Sequence, residues 1–139
     1  MTIAALDLGT KRIGLAVSDQ GQTTALPLCT IERRVLRWDL QQVAERLADR
    51  EVALVVVGLP LNMDGSEGPA ARQARAFAAR LETELGISVE LFDERLTSVE
   101  AEERLAQADA GKRRRKQAAD AIAAAIILEG WLAVNRAGK

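Results

Sequence analysis

Histidine and tyrosine are absent from this 139-residue chain, and cysteine occurs once. Without histidine, the chain cannot form Ser-His-Asp or Cys-His catalytic sites, or a zinc site with imidazole ligands. The single Cys29 excludes an internal disulfide, which fits the cytoplasm, and it excludes a zinc site built from several thiolates. Any catalysis must therefore use carboxylates, hydroxyls, lysine, or a hard metal ion held by oxygen ligands.

Aromatic residues and long apolar runs are also scarce. The chain has only two Phe and two Trp. These are too few for the aromatic stacking surfaces with which RRM and OB-type proteins bind single-stranded bases. The apolar stretches "VALVVVGLPL" and "AIAAAIILEGWLAV" are too short, or too interrupted by charge and glycine, to span a membrane. The N-terminal pattern, without a basic segment followed by an apolar run, does not predict a secretion signal. We therefore expect a cytoplasmic protein without membrane association, with residues 1–139 forming one domain.

Positive charge is concentrated in one segment. The net charge is −1, yet residues 112–116 read "KRRRK", so the rest of the chain is net acidic. Five consecutive cations predict a solvated loop or arm, and binding a polyanion such as nucleic acid is a common use for one. These cations are Lys112, Arg113, Arg114, Arg115 and Lys116.

The hydrophobic pattern predicts an α/β fold with a five-stranded mixed sheet and helices on both faces. We expect strands at 2–9, 12–19, 23–31, 51–60 and 87–94, and helices at 35–50, 70–85, 97–108 and 117–134. The first three strands suit an antiparallel meander with Pro27 on an edge strand, and the last two suit parallel strands joined by crossovers. Gly86 ends the second helix, and Thr97 is expected to cap the third.

Acidic residues follow two strands whose carboxyl ends are expected at the same sheet edge. Asp7 ends the first strand, while Asp93 and Glu94 end the fifth; each also fits an ordinary turn or solvated strand exit. Asp120 begins a helix that is apolar nearly all round, where it either complements the helix dipole or has a partner for its charge. In a chain without histidine, divalent cations are the natural partner for three converging carboxylates.

Four sequence blocks, in order, carry a family resemblance that covers essentially the whole chain. "DLGTKRIGLAVSD", "VVVGLPLNMDGSEGP", "LFDERLTSVEAE" and "DAIAAAIIL" resemble the YqgF/RuvX family of ribonuclease-H-like proteins. The resemblance implies that Asp7, Glu94 and Asp120 are the catalytic acids and that they bind Mg²⁺ or Mn²⁺. Asp93 competes with Glu94 for this role, because neighbouring residues on a strand point to opposite faces.

Several basic and polar residues are candidates for contact with nucleic acid. Lys11, Arg12, Arg95 and the five-cation segment suit phosphate contacts, although Arg95 equally suits a salt bridge to a nearby acid. Asn62 and the glycines of "GLPLNMDG" would let the backbone approach a substrate, and a simple strand-to-helix loop is the alternative.

The expected function is metal-dependent hydrolysis of phosphodiester bonds in structured nucleic acid, with processing of the 5′ end of pre-16S rRNA favoured by the family description. Holliday junction resolution on branched DNA is the alternative and requires a homodimer rather than a monomer. Trp38, Trp131 and the last helix are candidates for such an interface, or for the core. A non-catalytic nucleic-acid binder is a weaker alternative. "DLGT" also occurs in sugar kinases and actin-like ATPases, which close two such domains around ATP.

Overall fold

The computed structural model describes residues 1–97, 103 and 115–137, with residues 115–118, 136 and 137 described by their backbone alone. Five strands form one sheet in the order β3-β2-β1-β4-β5. They are β1 (Thr2–Leu8), β2 (Arg12–Ser18), β3 (Ala25–Glu32), β4 (Val52–Leu59) and β5 (Ser88–Asp93). The central β1 pairs antiparallel with β2 and parallel with β4, and β4 pairs parallel with β5. The predicted five-stranded mixed sheet is confirmed, including an edge position for Pro27 on β3.

Three helices flank the sheet within the described residues. They are α1 (Leu36–Leu47), α2 (Pro69–Leu85) and α3 (Arg115–Ala137), and a single 3₁₀ turn covers Glu94–Leu96. Gly86 ends α2 in the left-handed conformation with φ 69°, as the sequence predicts. Helix α3 covers the helix predicted at 117–134, and its described part runs from Arg115 to Ala137. The helix expected at 97–108 lies outside the described residues, apart from the helical Glu103.

Side chains of β1 alternate between two apolar layers. Ala4 and Leu6 face α1 and α2, whereas Ile3 and Ala5 face α3. By the same alternation, Asp7 points to the α3 face and Leu8 points to the α1–α2 face. Trp38 and Trp131 are half-buried against these two layers, one on each face. Within the described residues, no helix combines the length and the apolar character needed to cross a bilayer.

Candidate active site

Asp7 lies on the central strand between two strands that carry glycine at the same level. Gly14 of β2 pairs with Asp7, and Gly58 of β4 follows Val57, which pairs with Leu6. Neither glycine has positive φ, so each is needed for the space beside it rather than for its backbone conformation. The two glycines leave the α3 face of the sheet open on both sides of Asp7.

The backbone of α3 fills the space over Gly14. A Cβ atom on Gly14 would lie 1.8 Å from the carbonyl oxygen of Asp120, which no side chain can tolerate. This close approach brings Asp120 near Asp7, and Asp120 is the charge that acts most strongly on Asp7. The Nε of Arg12 donates to Oδ2 of Asp120 at 2.8 Å. Asp120 therefore has a partner that compensates its charge, and that partner is Arg12.

The carboxylate of Glu94 fills the space over Gly58. A Cβ on Gly58 would lie 2.7 Å from Oε2 of Glu94 and 2.6 Å from the terminal methyl of Ile127. Glu94 begins the 3₁₀ turn directly after β5, and Thr97 closes that turn by donating from Oγ1 to the Glu94 carbonyl at 2.9 Å. Glycine at position 58 thus makes room for the Glu94 carboxylate, which is a catalytic candidate.

Asp7 and Glu94 line the same cavity of about 110 Å³, whose other walls are Thr97 and apolar residues of α3. Burial, and secondarily the charge of Asp120, raises the pKa of Asp7 to about 6. Burial, followed by the charges of Asp7 and Asp93, raises the pKa of Glu94 to about 7. Both carboxyl groups therefore hold protons well above their ordinary pH range, and a cation between them would replace those protons.

Asp93 and Arg95 form a separate cluster at the edge of this site. The Arg95 guanidinium donates to both carboxylate oxygens of Asp93, with a shortest contact of 2.8 Å, and its Nη1 donates to the Met63 carbonyl at 3.2 Å. The pKa of Asp93 is lowered, chiefly by its hydrogen bond to Arg95. Asp93 is therefore tied to a cation, whereas Glu94 is the acid that faces the cavity.

The loop after β4 is organised by its own polar groups. The Asn62 side chain donates to Oγ of Ser66 at 2.9 Å, and the Asn62 backbone N–H donates to the Ser66 carbonyl at 2.9 Å. Ser66 Oγ in turn donates to Asp64 at 2.6 Å. These bonds give Asn62 a structural role in ordering the loop. Met63, at the tip of the loop, is 96% exposed.

Carboxylate oxygens suit Mg²⁺ and Mn²⁺, so the donor atoms at this cavity fit a hard divalent ion. Among the described residues, however, no three acidic or cysteine side chains stand close enough to hold one ion together. Asp7 and Glu94 face the cavity, and Asp120 is turned to Arg12. The donor atoms of this pair suit a metal ion, and Asp120 becomes available as a third ligand only when Arg12 releases it.

Among the candidates for nucleic-acid contact, Lys11 is exposed in the β1–β2 turn and Arg12 is half-buried beside Asp120. Lys112, Arg113 and Arg114 lie outside the described residues, and Arg115 and Lys116 are described only as the first backbone residues of α3. Sequence reasoning missed Arg33, which donates from Nη1 to the Gly9 carbonyl at 2.8 Å and from Nε to the fully buried Asp39 at 3.1 Å. The sequence does carry a signal for this pairing, because Asp39 lies between Trp38 and Leu40 on an otherwise apolar helix face, where a buried acid needs a cation.

Comparison with known proteins gives a family and a fold. Residues 1–134 match a family model described as RuvX, Holliday junction resolvase. An Anaeromyxobacter sp. (strain K) protein named "Putative pre-16S rRNA nuclease" is 54% identical over 132 residues, which cover 95% of this chain and 96% of the relative. A Myxococcus xanthus protein of the same name is 49% identical, with 98% and 90% covered.

Solved structures of low sequence identity share the fold. RuvC of T. thermophilus, in complex with a Holliday junction substrate, matches with a TM-score of 0.66 and 16% identity, covering 98% of this chain and 96% of that chain. The fowlpox virus Holliday junction resolvase matches with a TM-score of 0.56 and 13% identity, with 96% and 99% covered. The predicted ribonuclease-H-like fold is confirmed by these structures.

Proposed function

Because this chain belongs to the RuvX family and is a nuclease, we propose that it hydrolyses phosphodiester bonds in structured nucleic acid and that precursor 16S rRNA is its substrate. The observation that carries the proposal is the pair of partly buried carboxyl groups, Asp7 and Glu94, that face one cavity at the carboxyl edge of the sheet. We place residues 1–139 in one nuclease domain that acts in the cytoplasm.

Asp7 and Glu94 would hold Mg²⁺ or Mn²⁺, with Asp120 as the third carboxylate of the set. When bound, such ions activate a water molecule and stabilise the leaving oxygen of the cleaved phosphodiester. Arg12 neutralises Asp120 in the absence of substrate, and it is placed to exchange that carboxylate for a phosphate. Lys11 is exposed beside it, so both cations would bind the backbone next to the cleaved bond.

The five cations at 112–116 would add affinity rather than chemistry. Each phosphate that they neutralise releases a counterion, so binding through this segment depends strongly on salt concentration. Arg95 is committed to Asp93 and to the loop after β4, so we propose that it orders the rim of the site and contacts phosphate only secondarily.

Holliday junction resolution is the second candidate function, favoured by the description of the family model that matches residues 1–134. Resolution cuts two symmetric strands, so it would require a homodimer with two active sites, whereas processing of an RNA end is open to a monomer. The two functions therefore differ in substrate and in oligomeric state.

The test is a side-by-side cleavage assay on labelled pre-16S rRNA leader, single-stranded RNA and four-way DNA junction, with Mg²⁺, Mn²⁺ or excess chelator. We expect fastest cleavage of the leader RNA and no cleavage in chelator. Robust cleavage in chelator would contradict the metal-dependent mechanism. If the protein cleaved the four-way junction fastest and light scattering showed a dimer, Holliday junction resolution would replace pre-16S rRNA processing as the proposed function.

A further inference from the structure

A second concave surface opens on the other face of the same sheet edge. It is a groove of about 480 Å³ between the start of α1 and the middle of α2, and we call it the α1–α2 groove. Its walls include Leu8, Leu36 and Phe77, and its rim carries Gln73, Arg33 and Arg80. Among the described residues, no acidic side chain lines it. An apolar interior with a cationic and amide rim suits a ligand that is planar and apolar on its faces, polar on its edges, and anionic.

The groove is connected to the acidic cavity by the end of β1. Asp7 lines the cavity and the next residue, Leu8, lines the groove, because consecutive strand residues point to opposite faces. The turn between β1 and β2 lies between the two openings. Arg33 holds this turn from the groove side through the carbonyls of Gly9, at 2.8 Å, and Lys11, at 2.9 Å. One nucleic-acid strand that crosses the turn would reach both openings.

Positive charge continues along this route. Arg12 and Lys11 lie at the cavity end, and residues 33–37 read "RRVLR" at the groove end. In the part of the chain that the structure describes, Arg34, Arg37 and Arg80 form no ion pair with an acid. The Arg34 guanidinium lies over the Trp38 ring at 4.6 Å, which leaves its outer plane available for stacking. Val35 is 71% exposed and Leu36 is 37% exposed beside these cations.

We propose that the α1–α2 groove binds an unpaired nucleotide of the substrate strand, a few nucleotides from the cleaved phosphodiester. This inference rests on the proposed function and names its substrate class more closely, as structured nucleic acid with a single-stranded flank. A paired base cannot enter the groove, because its faces are stacked and its edges are occupied. The sequence suggested poor provision for stacking bases, but here arginine planes and aliphatic side chains supply the surface that aromatic residues supply elsewhere.

The test measures binding in EDTA, so that no cleavage is needed for it to succeed or fail. The probes are a blunt RNA duplex and the same duplex with a six-nucleotide single-stranded extension at its 5′ or 3′ end. Binding of each probe is measured by fluorescence anisotropy at one fixed salt concentration. The groove variant is Leu36→Ser/Arg80→Gln. Its matched control is Leu26→Ser/Arg46→Gln, which makes the same two changes at exposed positions on β3 and at the far end of α1.

We expect the wild-type protein to bind one extended duplex about tenfold more tightly than the blunt duplex, the gain of roughly one stacked base. The groove variant should lose most of this gain and keep its affinity for the blunt duplex, whereas the control should keep both. Equal binding of all probes by the wild-type protein would overturn the proposal. It would also be overturned by a groove variant that keeps the gain, or that loses affinity for blunt and extended duplexes alike. A failed cleavage assay beside a preserved binding gain would instead count against the proposed function.

Discussion

At the scale of single residues, the site is defined by which acids pair with a cation among the described residues and which do not. Asp120 has Arg12 and Asp93 has Arg95, in both cases through a guanidinium contact of 2.8 Å. Asp7 and Glu94 are partly buried in one cavity and have raised pKa values. In the metal-free protein, burial first and neighbouring carboxylates second therefore oppose the ionisation of these two groups.

The raised pKa values of Asp7 and Glu94 predict a pH dependence of stability. The pKa of Asp7 is raised from 3.8 to about 6, and the pKa of Glu94 is raised from 4.5 to about 7. The folded protein therefore binds more protons than the unfolded chain between about pH 4 and 7. The free energy of unfolding should therefore fall as pH rises through this window. Asp7→Asn/Glu94→Gln should flatten this part of the profile and melt at a higher temperature than the wild-type protein at pH 8.

Thermal melts in EDTA at pH 5, 6, 7 and 8 measure this effect, and Mg²⁺ added at pH 8 should raise the melting temperature of the wild-type protein but not that of Asp7→Asn/Glu94→Gln. Asp19→Asn is a suitable control, since Asp19 is a partly exposed turn residue whose pKa is lowered, to about 2, by hydrogen bonds with Thr24 and Thr23. If the double variant and the wild-type protein had parallel profiles, the two carboxyl groups would not have the raised pKa values on which this prediction rests.

At the scale of elements, the site depends on how closely α3 approaches the sheet. Gly14 admits the α3 backbone at Asp120, and Gly58 admits Ile127 of α3 together with the Glu94 side chain. Gly130 plays a similar part further along α3, where an added Cβ would lie 3.0 Å from the Phe92 ring. Three elements thus determine the positions of the acidic side chains: β1 carries Asp7, the turn after β5 carries Glu94, and α3 carries Asp120.

Gly14→Ala should therefore destabilise the protein and displace Asp120. The new methyl group would meet backbone atoms, which cannot rotate away, so we expect a loss of about 3 kcal/mol or more in the free energy of unfolding. Gly21→Ala is the matched control, because its Cβ would have a single close neighbour at 3.3 Å, an exposed side-chain oxygen of Asp19. Urea unfolding of both variants measures the difference. Equal stability of Gly14→Ala and wild-type protein would contradict this placement of α3.

At the scale of the whole molecule, the sequence predicts the sheet better than it predicts the surfaces at its edge. Apolar runs and the turn at 9–11 fix the strand order, and the order alone places Asp7 and Glu94 at one edge. The 3₁₀ turn after β5 decides which of Asp93 and Glu94 faces the cavity, and the hydrophobic pattern of the sequence does not predict that turn. Arg12 reaches Asp120 across 108 positions of sequence, so its pairing depends on the packing of α3.

The α1–α2 groove is the feature that sequence reasoning could least predict. It forms where Leu8, α1 and α2 meet, and its lining residues are spread over positions 8 to 80. Each of them fits an ordinary amphipathic helix or strand when read alone. Only the fold shows that the groove and the acidic cavity open at the same edge.

The most direct test of the central claim is single-turnover cleavage of the preferred substrate with Mn²⁺ by Asp7→Asn, Glu94→Gln and Asp93→Asn, each first shown to be folded. Each substitution removes one charge and nearly preserves shape. We predict that Asp7→Asn and Glu94→Gln lower the rate by about a hundredfold or more, because each removes a ligand from the reacting centre. Asp93→Asn, which changes the neighbouring acid that is paired with Arg95, should stay within about fivefold of the wild-type rate by the same reasoning. A folded Glu94→Gln protein that cleaves at the wild-type rate, or an Asp93→Asn protein that loses activity as completely as Asp7→Asn, would contradict this assignment of the active site.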